Sequence, residues 1–244
     1  MSWKRFTLKE ECIRALLYVF LLDCAFKMFN NFSPRMLSDE LNMGLTCPEI
    51  CFQVADVDEW RKHMEVWAAS ETGKAQPLVR DVLQFVVKAD LSLSEWTILC
   101  EMGPLNFFTL ANAFQNMIFH CHNPQSAVLK MQQHPYLQNP STIVHSDKSE
   151  VLQGLRNWKR AWMCRQTVLG DYDIYQVGAG NSWQRVGFFR HGFEFWRLAL
   201  IVYRNLEATG WLKWETSFVD KSDMKDVHEL ITKFQNVNIG EYEL

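Results

Sequence analysis

The residues best suited to chemistry in this chain are its cysteines, histidines and acidic pairs, and their spacing sets what they can do. Cys47-Pro48-Glu49-Ile50-Cys51 with His63 downstream opens like a zinc finger. A finger must close on two histidines three to five residues apart, and Met64 to Ala68 holds none. His120-Cys121-His122 are consecutive, and neighbouring helical positions do not face one another, so they do not converge on one ion. Asp220 and Asp223 have the spacing of the metal-binding carboxylates of a helical prenyl-transfer enzyme. Such an enzyme needs carboxylates in two sets around a cavity, whereas this pair stands alone where Asp223 fits a helix N-cap. Nothing in the sequence pairs a cysteine with a histidine as nucleophile and base. Gly178-Ala179-Gly180 lacks the third glycine of a phosphate cradle and follows no strand. The expectation is no catalytic, cofactor-binding or metal-ligating residue, no cofactor and no enzyme.

Composition narrows the class further. Of 244 residues, 48% are hydrophobic and 14% aromatic, with 10 Trp and 17 Phe, enough for a well-filled core. The net charge of -3 lacks the basic excess with which duplex-binding domains neutralise phosphates. Arg156, Lys159, Arg160 and Arg165 therefore read as a solvated basic helix face rather than a nucleic-acid patch. Seven cysteines, an odd number spread from Cys12 to Cys164, read as reduced and mostly buried thiols of an intracellular protein without a signal peptide. The apolar run from Ala15 to Leu22 is too short for a membrane span, and Asp23 and Lys27 interrupt its continuation.

The elements that must position these residues are helical. Thr7-Leu8-Lys9-Glu10 has the pattern of a capping box, and a helix is expected from there to about Asn30. Ile13, Leu16, Leu17, Phe20, Leu21, Cys24 and Met28 form its stripe. Tyr18, Val19, Leu22 and Phe26 cover much of the rest, which predicts burial on most sides. Asp23 and Lys27 can pair at helical spacing, and Ser33-Pro34 ends the element. A turn at Ser38-Asp39-Glu40, another after Pro48 and a helix from Asp56 to about Ser70 come next. Gly73 and Pro77 then separate a helix through Leu78, Val82, Leu83, Phe85, Val86 and Val87, and Ser94-Glu95-Trp96 opens a short one. Gly103-Pro104 starts a helix from Leu105 to His120 that is apolar almost all round. Its Asn106, Thr109, Asn112, Gln115 and Asn116 are neutral, as burial demands, and should bond to neighbouring backbone. Beyond it come a short helix over 125–133, one from Asp147 or Ser149 through Leu152, Leu155, Trp158 and Trp162, one over 188–207 and a last one from Asp223 with Val227, Leu230, Ile231 and Phe234 inward. Loops fall near 134–147 and 170–182. Glu194, flanked by Arg190 and Arg197, is expected to be a part-buried carboxylate held by both guanidiniums. No stretch alternates with period two long enough for a confident strand. The fold class is all-α, an irregular multi-helix domain spanning residues 1–244.

Three stretches carry a family resemblance: Leu21 to Met36 running on to Cys47-Pro48-Glu49-Ile50-Cys51-Phe52, then Gly103-Pro104-Leu105-Asn106-Phe107-Phe108, then Gly192 to Ala199. Together they resemble the fungal-specific transcription factor domain, the middle-homology or xylanolytic-activator-type regulatory region. The branch is that of fungal Cys-Cys-His-His zinc-finger regulators, whose usual form has two prolines before the arginine where this chain has Ser33-Pro34. The resemblance covers about Phe6 to Phe234, and its motifs are packing motifs. It implies a nuclear, non-enzymatic regulatory domain that does not contact DNA itself. This chain carries no zinc module and corresponds to the C-terminal part of the larger family domain. DNA would be reached only indirectly, through a zinc module missing here. The partners implied are other regions of a transcription factor or co-regulator proteins. Absent family helices would leave apolar surface exposed, a route to association that includes homo-oligomers. The competing expectations are an all-α enzyme of terpenoid or lipid type and a generic helical scaffold.

Overall fold

The computed structural model describes residues 2–30, 34–122, 148–169 and 187–209. Among them the chain is helical with no strand, and Gly44 and Leu78 form an isolated antiparallel bridge. The expected helices over 125–133 and from Asp223, the loops near 134–147 and 170–182, and the Asp220–Asp223 pair lie outside the described residues.

Helix α1 runs Trp3–Asn30 and begins before the expected cap. Ser2 sits at its start, with Phe6 N donating to Ser2 O at 3.0 Å and Arg5 N to Ser2 Oγ at 3.4 Å. Thr7 is already inside the helix, its hydroxyl donating to Trp3 O at 3.1 Å. Glu10 points inward. The capping-box reading is thus corrected, because a serine further upstream supplies the first acceptors.

Helix α2 spans Glu49–Phe52 and α3 spans Val57–Ala69, with Asp56 accepting from the Asp58 and Glu59 amides. The expected break at Gly73 is instead a short helix, α4, Glu71–Ala75, capped by Ser70. Gly73 is there for close approach: a Cβ at this position would lie 1.9 Å from Trp67 O. Helix α5 spans Val79–Val86. The sixth, α6, spans Leu93–Glu101 and carries a capping box in which Ser92 N donates to Glu95 Oε2 at 2.8 Å and Glu95 N to Ser92 Oγ at 3.2 Å. Glu101 at its end accepts from Thr72 N at 2.8 Å and Thr72 Oγ1 at 2.9 Å, tying α6 to α4.

Helix α7, Pro104–His122, is the axis of the core. Residues 105–118 are all buried, and α1, α5, α8 (Lys148–Leu169) and α9 (Gly192–Thr209, entered through a 3-10 turn Gly187–His191) pack against it. The indole of Trp158 stacks on Trp162 at 5.2 Å and on Trp196 at 6.0 Å, while Phe107 meets Trp158 and Trp162 edge-on. Two of these buried indoles keep hydrogen-bond partners: Trp158 Nε1 donates to Phe107 O at 3.0 Å and Trp196 Nε1 to Leu155 O at 2.8 Å. Gly154 lets α8 close on α7, since a Cβ there would stand 2.5 Å from the Phe114 ring. Asn157 donates to Val86 O at 2.8 Å and Lys88 O at 2.9 Å, finishing the end of α5. A smaller cluster of Phe6, Cys47, Cys51 and Trp60 sits beside the main core.

Helix α1 is not buried on most sides. Leu17, Phe20 and Cys24 face the core, but Leu8, Leu16, Tyr18, Val19, Leu22 and Phe26 lie 49–62% exposed. Its apolar residues exceed what its described neighbours cover.

Candidate functional site

The polar residues of the interior gather where α1, the segment over 34–52 and α7 meet. Arg14 is the centre of the first cluster. Its Nε donates to Glu10 Oε1 at 3.0 Å, its Nη1 to Glu49 Oε1 and Oε2 at 2.9 and 3.0 Å, and its Nη2 to Cys47 O at 3.2 Å. The guanidinium also lies 4.2 Å from the centre of the Phe52 ring. Glu10 Oε1 accepts in addition from Cys47 N at 3.0 Å. Burial raises the Glu10 pKa while Arg14 and the Cys47 amide pull it back. For Arg14, burial opposes the charge, but Glu49 and Glu10 outweigh it and the pKa rises. The cluster holds its charges in place and joins α1 to the start of α2.

A second cluster explains the Ser33-Pro34-Arg35 break. Asp23 Oδ2 accepts from Arg35 N at 2.7 Å and Met36 N at 3.0 Å, so Asp23 fastens the chain where it resumes. Lys27, expected to pair with Asp23, reaches instead to Gln115 O on α7 and lies 5.6 Å from the Phe119 ring centre. Enclosure of its amine lowers its pKa to about 7. Burial likewise raises the neighbouring Cys24 thiol to about 12.

A third cluster is the row of amides on α7. Asn106 Oδ1 accepts from Thr46 N and Thr46 Oγ1, both at 3.0 Å, and its Nδ2 donates to Thr46 O at 3.0 Å. Thr109 and Asn112 donate to the carbonyls of Leu105 and Phe108, and Gln115 to that of Phe195. Four of the five neutral side chains thus bond to backbone, as their sequence positions predict. Asn116 differs: its buried amide has no hydrogen-bond partner of normal geometry and sits against the Cys24 thiol.

Of the residues singled out for chemistry, Cys47 and Cys51 are brought together in the small cluster with Phe6 and Trp60. Cys47 and Cys51 are buried, and burial drives both thiols up, Cys51 to about 11. High-pKa thiols are poor nucleophiles. His63 lies 3.8 Å from Glu59 on its own helix. Among the described residues no group of three His, Cys, Asp or Glu side chains is placed to hold a metal ion. No described helix is long and apolar enough to cross a membrane. The supposed basic face divides: Lys159 lies over Trp196 and Arg160 over Trp96, Arg156 is exposed, and Arg165 is buried. Glu194 is exposed, 3.9 Å from His191, while Arg197 covers the Phe193 ring and Arg190 donates to His191. The expected double guanidinium clamp is therefore corrected; Arg197 lies over the Phe193 ring and Arg190 bonds to the His191 imidazole instead.

Sequence reasoning missed the Arg14 cluster. A signal for it exists: Glu10 and Arg14 interrupt the same helical stripe that carries Phe6, Ile13 and Leu17, and charges on an apolar stripe must find each other.

Two of the three stretches meet in one bracing system: Asp23, Pro34-Arg35 and Cys47-Pro48-Glu49 of the first and Asn106 of the second hold the segment over 34–52 between α1 and α7. The chain is similar to a fungal transcription factor. It is 29% identical over 259 residues to transcription factor verF of Penicillium polonicum, a match covering 98% of this chain and 33% of that protein. This chain thus spans about a third of that relative's length. No family model and no solved structure matches it.

Proposed function

We propose that this chain is a regulatory, non-DNA-contacting domain of the fungal-specific transcription factor type, acting in the nucleus through protein contacts. The observation that carries this reading is the similarity to a fungal transcription factor along 98% of the chain. The bracing system adds to it, because the motifs that prompted the family resemblance serve packing: Glu49 accepts from Arg14, Asp23 accepts from the Arg35 and Met36 amides, and Asn106 bonds to Thr46. The net charge of -3 is that of a domain that leaves DNA to another module. Its partners are other regions of a transcription factor or co-regulator proteins.

Fusing the 244 residues to an unrelated DNA-binding module, with that module's reporter in a fungal host, tests the reading. Reporter output is expected to rise or fall relative to the module alone. Output equal to the module alone, with the fusion present in the nucleus, overturns it. In gel shifts the isolated chain is expected to give no sequence-selective complex; a salt-sensitive, sequence-selective shift would refute the non-contacting role.

A further inference from the structure

The exposed side of α1 has a repeat of its own. Leu8, Cys12, Ala15, Val19, Leu22 and Phe26 follow one another at spacings of 4, 3, 4, 3 and 4 residues, the a/d seam of a coiled coil. All six are exposed, and they lie opposite the stripe of Phe6, Leu17, Phe20 and Cys24 that α1 turns to the core. At ~1.5 Å per residue the seam is about 27 Å long. A contiguous apolar strip of that length on a helix otherwise rich in charge marks an interaction surface.

We infer that this seam pairs with the same seam of a second copy of the chain, with the two α1 helices antiparallel. Size complementarity selects that orientation. Antiparallel pairing places a positions against d positions, giving layers of Leu8 with the partner's Phe26, Cys12 with the partner's Leu22, and Ala15 with the partner's Val19. Each small side chain then meets a larger one, and the layers repeat symmetrically about the two-fold axis. A parallel pair would set Phe26 on Phe26 and Ala15 on Ala15, leaving one layer crowded and another hollow.

Charge agrees with size. In the antiparallel pair Lys9 flanks the seam opposite the partner's Asp23, and symmetry makes this contact twice. Asp23 Oδ2 is engaged by the Arg35 and Met36 amides, which leaves Oδ1 for the incoming ammonium. In a parallel pair Lys4 would face the partner's Lys9, a like-charge contact, and Tyr18 would face the partner's Asp23. Leu16, 50% exposed, widens the apolar strip on one side and meets its own copy at the two-fold, while on the other side the Tyr18 ring packs on Phe189 of its own chain. The isologous arrangement is the commonest form of homo-oligomer. The inference rests on the geometry of α1 and not on the proposed regulatory function.

Sedimentation velocity on the full chain under reducing conditions tests it. The chain is expected to be a dimer, and Leu22→Glu is expected to raise its dissociation constant by at least roughly tenfold, because the layer would then bury a charge. Leu22 is 60% exposed in one copy, so circular dichroism of the variant should keep the native helical signal. A strictly monomeric wild type overturns the proposal and points to an occupant elsewhere in a longer chain or in another protein. A Leu22→Glu variant that stays fully dimeric overturns it as well. Register is read by mild oxidation and peptide mapping. Leu22→Cys should give a covalent dimer joined between Cys12 and the introduced thiol; a wild-type Cys12–Cys12 link would show the parallel pair and sink the antiparallel assignment.

Discussion

Helices α1 and α7 look alike in sequence and behave differently in the fold. Each carries apolar residues nearly all the way round. Residues 105–118 of α7 are all buried, whereas α1 leaves Leu8, Val19, Leu22 and Phe26 at 55–62% exposure. The difference lies in their polar residues. Helix α7 interleaves its apolar positions with Asn, Thr and Gln, which can be buried once bonded to backbone. Helix α1 carries Lys4, Arg5, Lys9, Glu10, Glu11, Arg14, Asp23 and Lys27, and that many charges cannot all be enclosed. Four of them, Glu10, Arg14, Asp23 and Lys27, are turned inward and satisfied one by one. An apolar circumference thus means burial only when the remaining positions are neutral; otherwise it means one face for the core and a second for something else.

The comparison can be broken first at its strongest point. Phe107→Ala on α7 removes a ring packed edge-on against both Trp158 and Trp162 and is expected to lower unfolding free energy by ~3–5 kcal/mol. Leu22→Ala on the outer face of α1 should cost less than ~0.5 kcal/mol at concentrations where the chain is monomeric. Urea titrations of the pair measure both, and similar losses would show that the two helices are equally enclosed.

Next comes the Arg14 cluster. Arg14→Met leaves Glu10 and Glu49 facing one another without their cation, and the expected loss is ~3–5 kcal/mol, as for other buried pairs broken on one side. A loss under ~1 kcal/mol would mean that the cluster is solvated in practice and that α1 is held by its apolar stripe alone.

Lys27 sharpens the comparison through pH. Its pKa falls from 10.5 free to about 7 in the fold. Between these values the unfolded chain binds more protons than the folded one, so stability should rise as pH climbs from 7 toward ~10 and fall as the amine protonates. Lys27→Met should flatten that slope, which chemical denaturation at both pH values would reveal; an unchanged slope would put the amine in water.

The smallest expected effect is at Glu194. The side chain is exposed beside His191, so Glu194→Leu should shift stability within ~0.5 kcal/mol. A larger drop in thermal unfolding would restore the arginine-clamped carboxylate read from the sequence.

Much of the fold was legible from local signals. Asp56 and Gly103-Pro104 mark helix starts through chemistry confined to one turn, whereas the start expected at Ser94 falls two residues earlier, at the Ser92 cap. Glu10 was misread because Thr-x-x-Glu satisfies the cap pattern by spacing alone, while Ser2 competes for the same helix start. Helix α4 was missed because a glycine that reads as a break is required there by the approach of Trp67. The candidate site was less legible. The partners of Arg14, Asp23 and Asn106 lie 35, 12 and 60 residues away along the chain, and no local pattern encodes such a separation.

By itself, then, the sequence determined an all-helical chain with a neutral, buried central helix, and the packing motifs that carry its family resemblance. Those follow from periodicity, capping and the cost of enclosing charge, all of which act within a few residues. Only the tertiary structure decided which face of α1 meets the core, that Lys27 turns to α7 instead of Asp23, and that Arg14 is the joint between α1 and α2. Each of these depends on which distant surfaces come together, and exposure is a property of neighbours.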